Sequence, residues 1–393
     1  MTEGILPSFL FTLVFYNGIM RKTTRERGAL DMPNAETLPV SDHRIEYLDY
    51  LRVIATMAVV LLHISIQGWG DVDVQSGPWM VYNVWNGLVR WCVPVFVMIS
   101  GALFLNPKKK VSVYRLWTRN IPRILSAFLF WSVIYALYHL ATRSGWTGHT
   151  FAMAVLTGNY HMWFLFLIVG LYLVTPLMRK IAADRGMLNY FLVLSLFFGF
   201  LIPTLRHQVI PFSVALSESD TIHALLKDYD SMRIYLPLGY TGYFALGWYL
   251  YKRNLTPGER IVIYALGVAG FLLTITGTAV LSRNLAKANS AWYEYVSVNV
   301  LLESMAVFVL VRYSSRYWKE KVRNLLSAMA DKTFGIYLFH LLLVEFLADV
   351  IGLKSTLFTP VLSVPLLAAL SFTVSVYAAK GLKRLGRFSR YIL

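Results

Sequence analysis

The segment DYLRVIATMAVVLLHISI, residues 49–66, decides the fold of this chain. It is almost wholly apolar, yet Arg52 stands near its start and His63 near its end, eleven positions later. At about 100° and about 1.5 Å per residue, a helix would place both side chains on nearly the same face, about 16 Å apart. Ionisable groups are costly in a bilayer and normally face a cavity or a partner. The segment therefore predicts a membrane helix that presents a cation near one membrane surface and an imidazole near mid-depth to a shared cavity.

The composition places the whole chain in the membrane class. The protein has 393 residues, of which 57% are hydrophobic and 15% are charged, whereas a typical soluble protein is about 25% charged. Because lipid-facing backbone must satisfy its own hydrogen bonds, long apolar segments are expected to be α-helices. We predict an all-α, polytopic membrane protein with about ten transmembrane helices. The predicted spans are 50–67, 84–105, 121–141, 161–178, 188–206, 232–251, 261–281, 292–312, 333–352 and 357–379.

The basic residues predict the orientation of these spans. Of the 37 lysines and arginines, 28 fall before the first span, in the second, fourth, sixth and eighth loops, or in the tail, and seven fall in the other loops. Because short cytoplasmic loops carry an excess of lysine and arginine, both termini are predicted to be cytoplasmic. Topology thereby explains the net charge of +16. No nucleic acid partner is expected, since such a partner would need one exposed basic patch.

An N-terminal extension precedes the first span. Its apolar part, residues 5–19, is shorter than the roughly 20 residues that a spanning helix needs, and the part that follows is polar. We interpret it either as an upstream extension before a true start at Met20 or Met32, or as an interfacial helix followed by disordered chain. The expected organisation is an extension over 1–44, a transmembrane domain over 45–380 and a basic cytoplasmic tail over 381–393.

Three other features narrow the function. The longest predicted outer loop, residues 207–231, carries four acidic residues and could contact a substrate outside the cell. The chain shows no internal repeat, which weakens a transporter interpretation, since many transporters are built from repeats. A single cysteine, Cys92, cannot form an internal disulfide, so the redox compartment stays open.

Arg52 and His63 each have two interpretations. Arg52 either anchors its helix end at the membrane surface, with Asp49 as an ion-pair partner, or faces the cavity. His63 lies too deep to reach a surface, so it is either a hydrogen-bonding link between helices or a functional group. Imidazole suits general-base work near neutral pH, which makes His63 the leading catalytic candidate.

Other polar groups interrupt later apolar spans. Arg90, in NGLVRWCVPVFVMISGALFL, either reaches outward to the surface or points a cation into the cavity. A polar stripe at spacing four ends in Asn299 and Glu303 on one helix face. A buried Glu303 must be protonated or paired, and Arg90, Arg52 and His63 are its candidate partners.

The edges of three spans carry further candidates. Tyr337 and His340 share one face of the ninth span, where a structural hydrogen-bond role is the alternative to a functional one. The segment HMWFL opens the fourth span on the outer side, where Trp163 is a normal interface residue and His161 is expected to be exposed. The basic segment 108–123 sets topology, and its arginines also suit phosphate oxygens or anionic lipid headgroups.

Four segments together resemble the acyltransferase-3 family of bacterial membrane acyltransferases. They are YLDYLRVIATMAVVLLHIS (47–65), VPVFVMISGALFL (93–105), HMWFLFLIVGLYLVTPL (161–177) and KTFGIYLFH (332–340), in the family's order. An arginine followed after ten residues by a histidine is the family's signature, which Arg52 and His63 meet. The resemblance covers about residues 45–380, and the chain is similar to the branch that O-acetylates enterobacterial common antigen and related surface glycans.

The resemblance implies an acyl-CoA donor, most simply acetyl-CoA, on the cytoplasmic side of a bacterial inner membrane, and a sugar hydroxyl on the outer side. It implies that His63 is catalytic and that Arg52 helps to hold the donor. It also implies that basic residues before the third span contact the CoA phosphates. The family often has two arginines separated by two residues there, whereas Arg119 and Arg123 are separated by three, with Asn120 in the expected position.

From these features we expect a thioester carbonyl beside His63, where it is attacked by an acceptor hydroxyl whose proton His63 accepts. An acyl-histidine intermediate is the alternative. The expected partners are the lipid bilayer, acyl-CoA and a lipid-linked or surface glycan; no metal is expected, and the oligomeric state stays open. The expected site residues are His63, Arg90, Glu303 and Tyr337 for catalysis, Arg52, Arg115, Arg119 and Arg123 for the donor, and His161, Trp163, Asn299 and His340 for the acceptor.

Two other functions fit part of the pattern. A buried set of histidine, glutamate and arginine also suits a proton-coupled transporter or flippase for a glycan or a small organic acid. A polybasic scaffold that binds anionic lipid is the third interpretation, and it would tolerate the loss of His63 and Glu303. Transport leaves the mass of the glycan unchanged, whereas acetylation adds an acetyl group.

Overall fold

The computed structural model describes residues 45–107, 111–209, 238–386 and 389–393, apart from the side chain of Arg390. The N-terminal extension, residues 108–110 and nearly all of the predicted outer loop lie outside these ranges, so what was predicted for them stays a prediction. The described residues form helices and no β-strand, which confirms the all-α prediction.

Thirteen helices of ten or more residues lie in the described part of the chain. They are α1 (Glu46–Asp71), α2 (Gly77–Leu88), α3 (Cys92–Phe104), α4 (Ile121–Thr142), α5 (Gly148–Thr157), α6 (Trp163–Ala183), α7 (Arg185–Leu194), α8 (Gly239–Lys252), α9 (Pro257–Asn284), α10 (Val298–Ser314), α11 (Glu320–Ala330), α12 (Thr333–Asp349) and α13 (Pro360–Lys383). Helix α4 is led in by a short helix, Val113–Arg115, and a π-turn, Leu116–Asn120, and a four-residue helix, α14 (Ser389–Ile392), follows α13.

Eight helical segments of the described residues are long and apolar enough to cross a bilayer, which confirms a polytopic membrane protein. The two remaining predicted spans correspond to α8 and α12, which are 14 and 17 residues long. Both are shorter than the roughly 20 residues that usually span a bilayer, and the predicted start of the α8 span lies outside the described residues. The count of ten spans and the cytoplasmic position of both termini therefore stay predictions.

Helix α1 is the central element of the bundle. It packs against α2, α3, α10, α11, α12 and α13. Its most apolar stretch is 67% buried inside the protein, whereas that of α9 is 28% buried. An enclosed helix can carry ionisable side chains because these face protein rather than lipid. This central position is what brings the helix of Arg52 and His63 into the interior.

Helices α3 and α8 approach each other closely at two glycines. A Cβ atom at Gly101 would lie 1.8 Å from the carbonyl oxygen of Phe244, and one at Gly247 would lie 2.0 Å from that of Met98. Small residues let the backbones of membrane helices come into direct contact. The two glycines therefore fix α8 against α3, on one side of α1.

Arginines cap the helix ends at one end of the bundle. Arg179, near the end of α6, donates to the carbonyl oxygens of Phe104 and Asn106 at 2.7 Å each. Arg312 of α10 donates to the carbonyl oxygen of Leu250 in α8. The last carbonyl groups of a helix have no intrahelical partner, and cations there also interact favourably with the helix dipole. These contacts gather the ends of α3, α6, α8 and α10 at the end that the basic residues predict to be cytoplasmic.

Asp331, between α11 and α12, joins α13 to the same end. Its carboxylate pairs with Lys332 at 2.9 Å and with Lys383 at 2.5 Å. Burial alone would raise the pKa of Asp331, but the two lysines hold this pKa below its ordinary value. Because the Asp331 side chain is 55% exposed, these pairs add little stability. Their importance is topological, since they bring the start of α12 and the end of α13 together.

Loop contacts define the opposite end, which is the predicted outer end. The hydroxyl of Tyr82 in α2 donates to the carbonyl oxygen of Ser355, between α12 and α13, at 2.6 Å. Gln75 donates to the carbonyl oxygen of Arg283, in the last turn of α9, at 3.0 Å. The ends of α1, α9 and α12 and the starts of α2 and α13 therefore share one side of the bundle.

Candidate active site

His63 lies in the third quarter of α1 and is buried, with 9% of the residue exposed. Its Nδ1 lies 3.2 Å from the hydroxyl oxygen of Tyr160, and the two ring centroids are 5.6 Å apart. Tyr160 belongs to the 3-10 turn Tyr160–Met162, between α5 and α6, and is 60% exposed. The leading catalytic candidate is therefore buried, and Tyr160 links it to the surface of the protein.

Three histidines, distant in sequence, form what we call the histidine cluster: His63 of α1, His161 of the 3-10 turn and His340 of α12. Their ring centroids are 5.2 Å apart for His63 and His340, 5.6 Å for His161 and His340, and 6.2 Å for His63 and His161. The rings of Tyr135 and Tyr337 lie 5.3 and 5.4 Å from that of His161. Within the described residues, the three imidazoles do not have the arrangement of a metal site.

The histidine cluster contains nitrogen atoms without hydrogen-bond partners. Nδ1 of His340 lies 2.6 Å from the carbonyl oxygen of Tyr337. Because a carbonyl oxygen only accepts, this nitrogen carries the hydrogen, and Nε2 of a neutral His340 is an acceptor. That Nε2 and both ring nitrogens of His161 are buried and have no partner among the described residues. The cluster can therefore bind a group that supplies hydroxyl hydrogens.

The prediction that His161 is exposed is wrong, since only 3% of the residue is exposed. Its place at the edge of an apolar span suggested the membrane interface, but the 3-10 turn directs the ring inward. The hydroxyl of Tyr337 donates to the carbonyl oxygen of His161 at 2.6 Å and holds this turn in place. Trp163, two residues later, is 40% exposed, and its ring stacks on Tyr295 at 5.9 Å. His161 is thus an interior residue, and the Tyr337 hydroxyl already has a backbone partner.

Arg90 lies in the break between α2 and α3 and is 7% exposed, so it does not reach the membrane surface. Its guanidinium donates to Oδ1 of Asn86 and lies over the ring of Tyr293, 4.1 Å from the centroid, with the Tyr295 centroid at 6.0 Å. A guanidinium over an aromatic face is stabilised by the ring quadrupole. Arg90 is close enough for its charge to act on His63. The structure therefore favours a cation directed into the protein.

Glu303 forms no ion pair within the described residues, although Arg90 lies within electrostatic reach, so the structure favours the protonated alternative over the paired one. Its Oε1 is hydrogen-bonded to the hydroxyl of Thr274, and its Oε2 is buried without a partner among the described residues. The Thr274 oxygen also contacts the carbonyl oxygen of Gly270 and accepts from Asn299, each at 2.9 Å. Thr274 has one hydrogen for two acceptors, so a protonated Glu303 would supply the second one. The neutral carboxyl is also the less costly form to bury.

Asn299 lies in the same network. Its Nδ2 donates to the carbonyl oxygen of Trp292 at 2.8 Å and to Thr274 at 2.9 Å, and its Oδ1 accepts from Gln208 at 3.1 Å. Both amide hydrogens are therefore used between α9, α10 and the loop that joins them. The structure does not bring Asn299 to the histidine cluster, where an acceptor-binding residue was expected.

The predicted donor-binding arginines lie towards the other end of α1 and at the start of α4. Arg52 pairs with Asp49 at 3.3 Å. Tyr172 of α6 is hydrogen-bonded to Asn120 and lies within electrostatic reach of Arg52 and Arg123. Asn120, which stands where the family resemblance leads one to expect an arginine, is thus an interior contact of this region rather than a cation.

The other basic candidates differ in their contacts. Arg115 and Arg119 are exposed on the segment that leads into α4. Arg123 donates to the backbone oxygen of Leu393 and lies over the ring of Phe334 at 5.9 Å. Arg123 is exposed as well, but its guanidinium is engaged with the C-terminus at Leu393, whereas Arg115 and Arg119 have no such contact among the described residues.

Sequence reasoning missed a second polar group, which we call the outer polar cluster: His139 and Arg143 at the end of α4, Asn159 before the 3-10 turn, and Glu345 of α12. Glu345 pairs with His139 at 2.9 Å and lies 4.0 Å from Arg143 and 3.4 Å from Asn159. A signal existed, because Glu345 is an ionisable residue inside a predicted span and such residues are functional candidates. Tyr160, the partner of His63, carried no comparable signal.

Comparison with known proteins identifies the family of the chain. The profile of the acyltransferase-3 family, described as an acyltransferase domain, matches residues 45–380. No curated protein and no solved structure matches the chain. The matched range contains the histidine cluster, Arg90 and the predicted donor-binding arginines. Because the match covers most of the 393 residues, the protein belongs to the acyltransferase-3 family and is a membrane acyltransferase.

Proposed function

We propose that the enzyme transfers an acetyl group from cytoplasmic acetyl-CoA to a sugar hydroxyl of a surface or lipid-linked polysaccharide at a bacterial inner membrane. The observation that carries the proposal is the buried His63, whose Nδ1 contacts the partly exposed Tyr160 at 3.2 Å and whose ring faces two imidazoles with unpartnered nitrogens. A hydroxyl that enters the histidine cluster meets acceptors for its proton. The family match supports acyl transfer, and the branch resemblance suggests the acetyl donor and the glycan acceptor.

His63 acts as the general base in this proposal. The acceptor oxygen attacks the thioester carbonyl carbon as its proton moves to an imidazole nitrogen of His63. The carbon–sulfur bond then breaks, and the imidazolium returns the proton to the departing thiolate. The reaction is balanced without a net change in protons, so one histidine can act as base and then as acid. His340 and His161 provide further acceptors that orient the hydroxyl for attack.

Arg90 stabilises the negative charge that develops on the thioester oxygen. It is a buried cation that donates to the neutral Asn86, and its charge reaches His63. Preorganised donors of this kind are worth about 10²–10³ in rate when they meet a developing oxyanion. Tyr337 is less suited to this role, because its hydroxyl already holds the carbonyl oxygen of His161.

The donor binds from the end that carries the arginines. Arg115 and Arg119 are exposed and contact the CoA phosphates, for which guanidinium groups are well suited. Arg52 holds the donor where the donor passes along α1. About 16 Å of helix rise separates Arg52 from His63. An extended thioester arm that follows this face would bring the acyl carbon to the base, while the CoA phosphates stay at the cytoplasmic surface.

The test is acetyl transfer from radiolabelled acetyl-CoA to glycan in membranes that contain the enzyme. His63→Ala should lower the rate by at least about 10²-fold, since general-base catalysis contributes about 10²–10⁴. His149→Ala is the matched control, because His149 is an exposed histidine at the start of α5. Equal protein levels are verified by immunoblot. If His63→Ala transfers acetyl groups as fast as His149→Ala does, His63 is not the base.

A further inference from the structure

The outer polar cluster contains two oxygen atoms that can accept further hydrogen bonds. Oε2 of Glu345 lies 2.9 Å from Nε2 of His139, and Oε1 accepts one long hydrogen bond from Nδ2 of Asn159 at 3.4 Å, with Arg143 at 4.0 Å. Oδ1 of Asn159 is buried and has no partner among the described residues, and the residue as a whole is 8% exposed. Carboxylate and amide oxygens each accept up to two hydrogen bonds. A ligand with O–H groups would supply the missing hydrogens.

The cluster lies next to the histidine cluster. Asn159 directly precedes Tyr160, whose hydroxyl contacts His63. His139 and Tyr135 are four residues apart on α4, so they share a face and differ by about 6 Å in height. The ring of Tyr135 lies 5.3 Å from that of His161. The outer polar cluster is therefore about one helical turn above the histidines, towards the predicted outer end of the bundle.

We propose that Glu345 and Asn159 bind hydroxyl groups adjacent to the one that is acylated, and that they make the enzyme selective for polyhydroxylated, sugar-like acceptors over simple alcohols. This inference rests on the proposed function, because it assigns the acceptor side of the same site. A hydroxyl at His63 belongs to a molecule whose neighbouring hydroxyls point one turn outward, to Oδ1 of Asn159, which has no donor among the described residues, and to Oε1 of Glu345, which can accept a second hydrogen bond. His139 is a positioning residue here, since it holds the other carboxylate oxygen.

A purely structural link between α4 and α12 would explain the contacts of Glu345 with His139 and Asn159, but not the Asn159 oxygen that has no partner among the described residues. An ion pair that only joined two helices would gain nothing from a buried amide oxygen left without a donor, because an unsatisfied buried acceptor costs about 1–3 kcal/mol. The aromatic ring of Trp146 lies 5.4 Å from that of His139 and packs beside the residue that holds the carboxylate. This combination is typical of a binding site rather than of a contact that only joins two helices.

The experiment compares two acceptors that differ by one hydroxyl. The purified full-length enzyme receives radiolabelled acetyl-CoA with either cyclohexanol or trans-1,2-cyclohexanediol, and kcat/KM is measured for each. The wild type should prefer the diol. Glu345→Gln should reduce the ratio of the two kcat/KM values by about tenfold to a hundredfold, mainly through KM for the diol, as expected for the loss of a hydrogen bond to a charged group. Asn159→Ala removes the amide oxygen together with the hydrogen bond from Nδ2 to Glu345, but it keeps the contact of Glu345 with His139, and it should reduce the ratio in the same direction.

Asp349→Asn is the matched control, because Asp349 is an exposed carboxylate at the end of the same helix, and its ratio should equal that of the wild type. An unchanged ratio in both Glu345→Gln and Asn159→Ala overturns the inference. Equal losses of kcat with the two acceptors also overturn it, because they indicate a structural role. If the wild type acetylates neither alcohol and no glycan, the proposed function itself fails, and this result differs from transfer with an unchanged preference.

Discussion

The hydroxyl of Tyr160 is the smallest part of the site whose removal tests the geometry around His63. Tyr160→Phe deletes one oxygen atom, 3.2 Å from Nδ1 of His63, and keeps the ring whose centroid lies 5.6 Å from that of the histidine. The substitution therefore removes a hydrogen bond without removing the packing that surrounds it. The change in rate therefore measures how much the Tyr160 hydroxyl contributes to the orientation of His63.

The structure sets the size of the expected effect. A neutral hydrogen bond contributes a net of about 0.5–1.5 kcal/mol, which corresponds to a factor of about 2 to 13 in rate if the bond orients His63 in the transition state. Loss of the base itself should cost about 10²–10⁴. We therefore expect the rate to fall in the order wild type, Tyr160→Phe, His63→Ala, with the middle variant much closer to the wild type.

The assay is the initial rate of acetyl transfer in membranes across a range of pH. Tyr160→Phe should also move the midpoint of the pH–rate profile, because the tyrosine hydroxyl interacts differently with the neutral and the protonated imidazole. Tyr190→Phe is the control, since Tyr190 is 61% exposed on α7 and has a similar phenol. A Tyr160→Phe enzyme with the rate and pH profile of Tyr190→Phe would refute the contact, and one as inactive as His63→Ala would make Tyr160 a reacting group.

Two further predictions concern folding, and both are read from thermal unfolding in detergent. The free energy of unfolding of Glu303→Gln should lie within about 1 kcal/mol of the wild-type value, because an amide NH₂ can donate to Thr274 as a protonated carboxyl does. Glu303→Ala should lower this free energy by about 1–3 kcal/mol. A Gln variant as unstable as the Ala variant would show that the charge is needed. Gly247→Ala should cost about 1–3 kcal/mol by overpacking, because its methyl group would meet the carbonyl oxygen of Met98 at 2.0 Å. Gly170→Ala is the control and should leave the stability unchanged, because its methyl group would meet nothing within 4 Å. Equal thermal unfolding midpoints for Gly247→Ala and Gly170→Ala would contradict the close contact of α3 and α8.

Part of the site could be predicted because it lies within one helix. Arg52 and His63 share a face of α1, and the depth of His63 in an apolar helix shows that its imidazole cannot be an ordinary surface group. The all-helical membrane fold follows from the same reasoning, since apolar segments of sufficient length satisfy their backbone only as helices. The pattern also predicted a buried Glu303, although not its partner, because Thr274 comes from a different helix.

The remaining part depends on where loops and helix ends fold, which periodicity does not report. His161 was expected at the interface because it flanks an apolar span, yet a three-residue turn directs it between Tyr135 and Tyr337. Local spacing could not show that residues 63, 161 and 340 meet, since they belong to three distant segments. Asn299 shared a helix face with Glu303, but its amide is used between helices rather than in the histidine cluster.

The most direct test of the account is the mass of the cell's glycans. Surface and lipid-linked glycans are isolated from cells that lack the gene and from the same cells supplied with the wild-type enzyme or with His63→Ala. Mass spectrometry should find glycans heavier by one acetyl group only with the wild-type enzyme. Identical glycan masses in all three, or acetylated glycans in cells that carry only His63→Ala, would contradict the claim that this imidazole joins a cytoplasmic thioester to an outer hydroxyl.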